Sequence, residues 1–219
     1  VLSELMDAPE RPCTFVLGGA KIADAFLMMK TVLGAGVVDN VLPGGVVGNI
    51  MLIAKGENIG EGSKSFIIKN NYAEYFDVAK ELIEKYEDKF VFPVDLAWTE
   101  DGVRKEAAIG EIPADIASTD IGAKTTEKYQ EIIRASKTVF VNGPMGIFEE
   151  DLTEAGTKGV WEALGDTKAY TVVGGGDSIT ATKKYGKTDK ISYIWTGGGA
   201  LIRFLTGEEL PVVKALRHG

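Results

Sequence analysis

One unit recurs along this chain: a short apolar or β-branched run, a glycine turn, then a stretch with helical spacing. Thr14-Phe15-Val16-Leu17 runs into Gly18-Gly19-Ala20-Lys21 and a helix to about residue 32. Val38-Asp39-Asn40-Val41-Leu42 runs into Pro43-Gly44-Gly45 and a helix to about residue 55. Thr138-Val139-Phe140-Val141 leads to Asn142-Gly143-Pro144-Met145-Gly146, and Thr171-Val172-Val173 leads to Gly174-Gly175-Gly176-Asp177-Ser178. Last, Tyr193-Ile194-Trp195-Thr196 leads to Gly197-Gly198-Gly199-Ala200. Strands alternating with helices predict a parallel sheet covered on both faces. Right-handed crossovers then put every strand C-terminus on one rim. The expected class is α/β, a three-layer Rossmann-like parallel sheet. Its five glycine turns line the rim where open α/β sheets bind ligands.

Other segments fill in or interrupt the rhythm. Residues 73–86 are amphipathic, with Tyr75, Val78, Leu82 and Ile83 at helical spacing. They feed Phe90-Val91-Phe92-Pro93-Val94, which reads as a further strand. Residues 95–112 read instead as a β-hairpin insertion with Asp101-Gly102 as its turn. A helix over 125–136 restores the pattern.

Any single glycine pair is more often a tight turn than a ligand site. Five at the same place in a repeat favour a nucleotide or polyphosphate, since bare backbone N–H groups at helix starts hold anions. The net charge of −8 argues against nucleic acid as partner and leaves phosphate to local donors, a few cations and a metal. Cys13 is the only cysteine, which excludes a disulfide and a cysteine-rich zinc site within this chain, and the only histidine is the penultimate residue, His218, which argues against a Ser-His-Asp hydrolase or a His-ligated zinc enzyme. No apolar run approaches the roughly 20 residues of a membrane helix. The expectation is a soluble, cytoplasmic protein without a membrane partner. Gly186-Lys187-Thr188 resembles the end of a P-loop, but position 181 is Ala where the motif needs glycine. Tyr185-Gly186 is expected to end the helix that Asp177 begins. The dinucleotide Gly-x-Gly-x-x-Gly pattern is absent at every strand end.

Asp177 has two readings. It caps the helix that follows, or it holds Mg²⁺ between itself and ligand phosphates. The two are compatible. Lys21 is either a phosphate partner at a helix start, where the dipole disfavours a cation, or a solvated surface lysine. Glu149 is either a ribose ligand or merely exposed.

Leu17-Gly18-Gly19-Ala20-Lys21, Asp120-Ile121-Gly122, the run from Val141 to Glu149, Gly174 to Ser178 and Thr196 to Ala200 together resemble the phosphoglycerate kinase family, in its order and at about its spacing. Leu210-Pro211-Val212-Val213 resembles a segment near that family's C-terminus. The resemblance covers nearly all 219 residues but only half of the family's two-domain protein. It implies that residues 11–219 are the C-terminal, nucleotide-binding domain. Residues 1–10 would end the interdomain helix. The N-terminal domain, which carries the 3-phosphoglycerate site on a basic patch, would be missing. Arg11, Arg104, Arg134, Arg203 and Arg217 are too scattered to form such a patch.

The resemblance also implies roles. Gly19, Ala20, Gly44 and Gly45 would line the adenine pocket, and Pro144 and Glu149 would hold the ribose. Asn142 and Lys21 would contact phosphates, with Lys21 near the phosphoryl in flight. Gly176 lies in the glycine nest, Asp177 would bind Mg²⁺ and Ser178 would bond the phosphates. Thr196, Gly197, Gly198 and Gly199 would aim backbone donors at the transferring group. The whole enzyme would exchange a phosphoryl group between ATP or ADP and the phosphoglycerates, and this chain would bind Mg-nucleotide without turnover. Ala25 stands where many members carry a second lysine, and Pro43 replaces a glycine. A different reading of the chain is a stand-alone nucleotide-binding regulatory domain. A nicotinamide-binding domain is disfavoured by the missing fingerprint.

Overall fold

The computed structural model describes residues 8–196. Five parallel strands form the main sheet: β1 (Cys13–Leu17), β2 (Asn40–Pro43), β6 (Thr138–Asn142), β7 (Tyr170–Gly174) and β8 (Tyr193–Trp195), in the order β2-β1-β6-β7-β8. These are the five strands expected from the glycine repeat. Alternate residues point to opposite faces, and both faces are apolar, as a doubly covered sheet requires. Phe15, Leu17, Val41, Phe140 and Val172 enter one core with helix α1 (Ile22–Gly34) and helix α4 (Tyr75–Tyr86). Val16, Leu42, Val139, Val141 and Val173 enter the other, with α5 (Ala123–Ala135) and α6 (Ala155–Asp166). Helix α2 (Gly45–Ala54) follows β2, α3 (Glu61–Lys69) follows it, and α7 (Gly176–Lys184) follows β7.

The register places Phe15 beside Phe140, and their rings stack at 4.6 Å between centroids. On the opposite face Trp161 is fully buried and donates from Nε1 to Thr182 Oγ1 at 2.8 Å, tying α6 to α7.

The hairpin stands as expected. β3 (Asp95–Glu100) pairs with β4 (Val103–Ala108), and Asp101 and Gly102 both have positive φ, the backbone a two-residue hairpin turn of matching twist needs. A two-residue strand, β5 (Asp120–Ile121), adds on the other side of β3, so the insertion is a three-stranded sheet, β4-β3-β5.

Residues 90–94 do not form the expected strand. Phe90 makes one isolated bridge to Val41, Val91 N donates to Val41 O at 2.9 Å, and Pro93 has no N–H with which to extend a ladder. Helix α7 begins one residue before Asp177, with Gly175 at the N-cap position and no side-chain cap, so Asp177 is not the cap. The helix ends as expected at Tyr185-Gly186, where Lys187 N returns to Thr182 O at 2.9 Å. Of the segment read as the end of an interdomain helix, residues 1–7 lie outside the described residues, and 8–10 are not helical. Among the described residues no helix is long and apolar enough to cross a membrane.

Tyr129, fully buried on α5, is the polar clamp beneath the rim. Its hydroxyl lies 2.6 Å from Pro43 O at the end of β2 and 2.9 Å from Val91 O. Removing it leaves one buried and one part-buried carbonyl without this donor. Tyr129→Phe should therefore lose about 1–3 kcal/mol of stability in urea unfolding at unchanged m-value; a loss below about 0.5 kcal/mol would show that water replaces the hydroxyl.

Candidate functional site: a cleft and an anion notch on the sheet rim

The rim turns are built on one another. Gly18 N donates to Asn142 O at 3.0 Å and Gly19 N to Pro144 O at 2.8 Å. Gly44 N donates to Leu17 O at 2.9 Å and Gly45 N to Met145 O at 2.8 Å. The turns after β1, β2 and β6 are thus joined main chain to main chain. A Cβ on Gly18 would sit 2.1 Å from Pro144 O, and one on Gly143 would sit 2.1 Å from Gly18 O. Packing of turn on turn accounts for these two glycines.

Gly176 is different. Its φ is ordinary, and a Cβ placed on it would meet nothing within 4 Å. Neither conformation nor packing requires glycine there. Gly176 is the first residue of α7, and the N–H groups of Gly176, Asp177 and Ser178 have no acceptor among the described residues. The first satisfied one is Ile179 N, which donates to Gly175 O at 3.0 Å. Around this helix start lies a notch lined by Lys21, Asn142, Asp177 and Ser178 together with the glycines. Lys21, at the N-cap position of α1 and exposed, is its only cation and has no ion pair among the described residues. Ala25 lies one turn further on and is buried in the core at 2% exposure. The Ser178 hydroxyl is buried and accepts from Gly143 N at 2.7 Å. What Ser178 offers a ligand is its own O–H and its main-chain N–H.

The notch opens into a cleft of about 470 Å³, mostly apolar; Gly19, Ala20 and Asp177 line both. Of the expected residues, Gly19, Ala20, Gly44, Gly45, Pro144, Glu149 and Asp177 line the cleft. Lys21, Asn142, Gly176 and Ser178 line the notch. Thr196 is exposed just past β8 and lines neither. Gly197, Gly198 and Gly199 lie outside the described residues. The cleft has further walls not anticipated from sequence: Asn49 on α2, Ser63 and Phe66 on α3, Leu96 on β3 and Ser118 before β5. The break in rhythm at residues 95–112 was the one signal that something besides a helix covers this rim.

Asp177 is exposed and makes no hydrogen bond among the described residues. No group of three metal-binding side chains occurs among them. A lone carboxylate beside free N–H donors does not form a protein metal cage, but it fits Mg²⁺ held jointly with phosphate oxygens and water.

Asp120 anchors the insertion to the start of α6. Its Oδ2 accepts from Gly156 N at 2.7 Å and from Arg104 Nη1 at 2.9 Å, while Oδ1 is buried without a partner. Arg104, on β4, also donates to Ile121 O at 2.9 Å and Leu152 O at 3.1 Å. Burial pushes the Asp120 carboxyl up to about 6, despite the hydrogen bond from Gly156 and the nearby guanidinium.

The family model for phosphoglycerate kinase matches residues 1–208. The phosphoglycerate kinase of Methanothermus fervidus is 40% identical over 217 residues, covering 99% of this chain and 53% of that protein. That of Methanococcus maripaludis is 42% identical over 218 residues, covering 98% and 52%. The crystal structure of phosphoglycerate kinase from Pyrococcus horikoshii OT3 superposes with a TM-score of 0.90 at 36% identity, over 99% of this chain and 55% of that one. The structure from Coxiella burnetii gives 0.87 at 30%, with the same coverage. The chain spans about half the length of the curated relatives it matches.

The raised Asp120 carboxyl has a definite linkage sign. Its folded value, about 6, lies above the ordinary 3.8, so folding favours the protonated form. That contribution is complete below the ordinary value and is lost as pH rises through 6. Measured against Asp120→Asn, the parent chain should gain on the order of 1–2 kcal/mol of unfolding free energy between pH 7 and pH 5. A difference that is flat with pH, or of opposite sign, would show that Arg104 dominates the carboxyl instead.

Proposed function

The chain belongs to the phosphoglycerate kinase family, and from that premise we propose that it is the Mg-nucleotide-binding half of such a kinase. The whole enzyme is the cytoplasmic catalyst of glycolysis and gluconeogenesis that moves a phosphoryl group between 1,3-bisphosphoglycerate and ADP, giving 3-phosphoglycerate and ATP. The missing N-terminal domain carries the phosphoglycerate site. The observation that carries the reading is Gly176, a glycine that neither the fold nor its backbone angles demand, at a helix start with three unused N–H donors. A bare backbone there admits a phosphate to contact distance.

The cleft takes the base against Ala20, Gly44 and Gly45, and Pro144 and Glu149 take the ribose. The phosphates run into the notch, where the N–H groups of 176–178 meet one end and Lys21 and Asn142 the other. Asp177 would hold Mg²⁺ together with the nucleotide, and the ion would supply charge neutralisation that a lone lysine does not. Phosphoryl transfer asks chiefly for alignment and charge compensation. The second domain of the whole enzyme would bring the acceptor to this rim. Without that domain no acceptor is aligned, and the chain binds without turnover.

Calorimetric titration with ADP tests this. Binding should weaken by about tenfold or more when EDTA replaces Mg²⁺ or in Asp177→Ala, each removing a charge-assisted contact. Gly176→Val should leave thermal unfolding unchanged and abolish binding. Nucleotide binding indifferent to the metal, to Asp177 and to Gly176 would overturn the site. Phosphoryl transfer by the purified chain alone would overturn its standing as a half-enzyme.

A further inference from the structure

The loop between β6 and α6 carries Pro144, Phe148 and Glu149 into the wall of the cleft. Its first half is pinned by neighbouring elements: Met145 N donates to Thr157 Oγ1 at 3.0 Å, and Ile147 N to Thr119 O at 2.9 Å. Its second half begins with three exposed acids, Glu149, Glu150 and Asp151. Glu149 makes no hydrogen bond or ion pair among the described residues, so its main chain alone aims it. The group that holds that main chain is Lys184, whose Nζ donates to Phe148 O at 2.6 Å. Phe148 O and the N–H of Glu149 belong to one planar peptide unit. Fixing that oxygen fixes the plane from which Glu149 departs.

Lys184 sits in the last turn of α7, where the helix dipole favours a cation. The same Nζ lies 2.8 Å from Glu154 Oε2, and the Tyr185 hydroxyl donates to that oxygen at 3.1 Å. One ammonium thus ties Phe148 O and Glu154, at the two ends of the exposed acidic stretch, to the end of α7. As a partly exposed ion pair alone, Lys184 and Glu154 would contribute little. The bond to the carbonyl of a buried residue sets this lysine apart. Lys183, in the same turn, is exposed and makes no such contact among the described residues. Helix α7 begins at the notch, with Gly176, Asp177 and Ser178. Its first turn therefore faces the notch, and its last turn holds the peptide of Glu149.

Resting on the nucleotide reading above, we infer that Lys184 is a positioning residue: it holds the Phe148–Glu149 peptide so that the Glu149 carboxylate meets the sugar of a nucleotide whose phosphates sit at the other end of α7. It acts on the ligand only through Glu149. Both ends of the ligand are thereby referred to one helix. A lysine that merely braced α7 against the loop would, when removed, weaken every ligand of the rim alike. A positioning lysine costs affinity only for ligands that reach Glu149, and costs nothing once Glu149 is gone.

Mg-ADP and Mg-pyrophosphate, which has phosphates and no sugar, are titrated calorimetrically into the parent, Lys184→Met, Lys183→Met, Glu149→Ala and the double variant of Lys184→Met with Glu149→Ala, with a thermal melt of each. Glu149→Ala should weaken Mg-ADP about tenfold, the scale of one charge-assisted hydrogen bond. Lys184→Met should weaken Mg-ADP by about three- to tenfold and leave Mg-pyrophosphate within about twofold of the parent. Lys183→Met, which removes the same charge, should bind both ligands as the parent does. The double variant should bind Mg-ADP within about twofold of Glu149→Ala, since residues that act as a unit are not additive. This cycle decides alone if pyrophosphate binds too weakly to titrate. Parent-like binding of Mg-ADP by Lys184→Met, an equal loss in Lys183→Met or for Mg-pyrophosphate, or losses that multiply in the double variant would overturn the inference and leave the nucleotide site standing. Unchanged binding by Glu149→Ala would overturn it too, since nothing would remain to be positioned. Failure of the parent to bind Mg-ADP would remove the reading on which it rests, and the inference with it.

Discussion

The rim holds its shape because main chain meets main chain. The N–H groups of Gly18, Gly19, Gly44 and Gly45 reach carbonyls of neighbouring strands and turns directly. No side chain fits between Gly18 and Gly143. The polar backbone of three turns, which loops normally leave to water, is satisfied inside the protein. The consequence is a floor with almost no side-chain freedom to lose when a ligand settles on it. Both recesses are cut into that floor: the cleft toward the insertion, the notch toward α7.

The insertion forms the other wall by a different kind of attachment. Leu96, Trp98 and Ile121 join the sheet's core, and a polar staple is added, in which Arg104 on β4 gathers Asp120, Ile121 O and Leu152 O. Asp95 on β3 in turn accepts from Thr125 N and Lys124 N at the start of α5, at 2.8 and 3.0 Å. A half-satisfied buried carboxyl is a costly way to fasten two layers. It nonetheless fixes direction, which apolar packing alone does not, and the spacing of the cleft walls depends on direction.

What could be read from sequence follows from what leaves a local mark. The five strands were legible because β-branched runs ending in glycine repeat at the same place in each unit. Helix α6 was not, because Gly156, Gly159 and Gly165 mask its periodicity. Gly159 is there because a Cβ would meet Thr126 Cγ2 at 2.3 Å across the α5–α6 contact. β5 is two residues long and has no period to show. Residues 90–94 have strand composition, yet Pro93 and a single bridge to Val41 leave them as a connection. At the site, the notch was legible because each of its parts is a short run at the end of a strand: 18–21, 142–143 and 175–178. The cleft's polar cluster was not, since Asn49, Ser63 and Ser118 come singly from different elements and mean nothing until the fold brings them together.

The strand order also has a consequence in time. β1 lies one strand in from the sheet's edge, flanked by β2 on one side and by β6 on the other. The first neighbour follows it closely, but Phe15 must wait for Phe140. As the chain leaves a ribosome, β1 and β2 can pair early, while the opposite edge of β1 stays open until the hairpin insertion and α5 have also been synthesised. Open apolar edges recruit other strands. Long-range parallel pairing is slow to form. The interval between residues 17 and 138 is thus when this chain most needs protection from its neighbours.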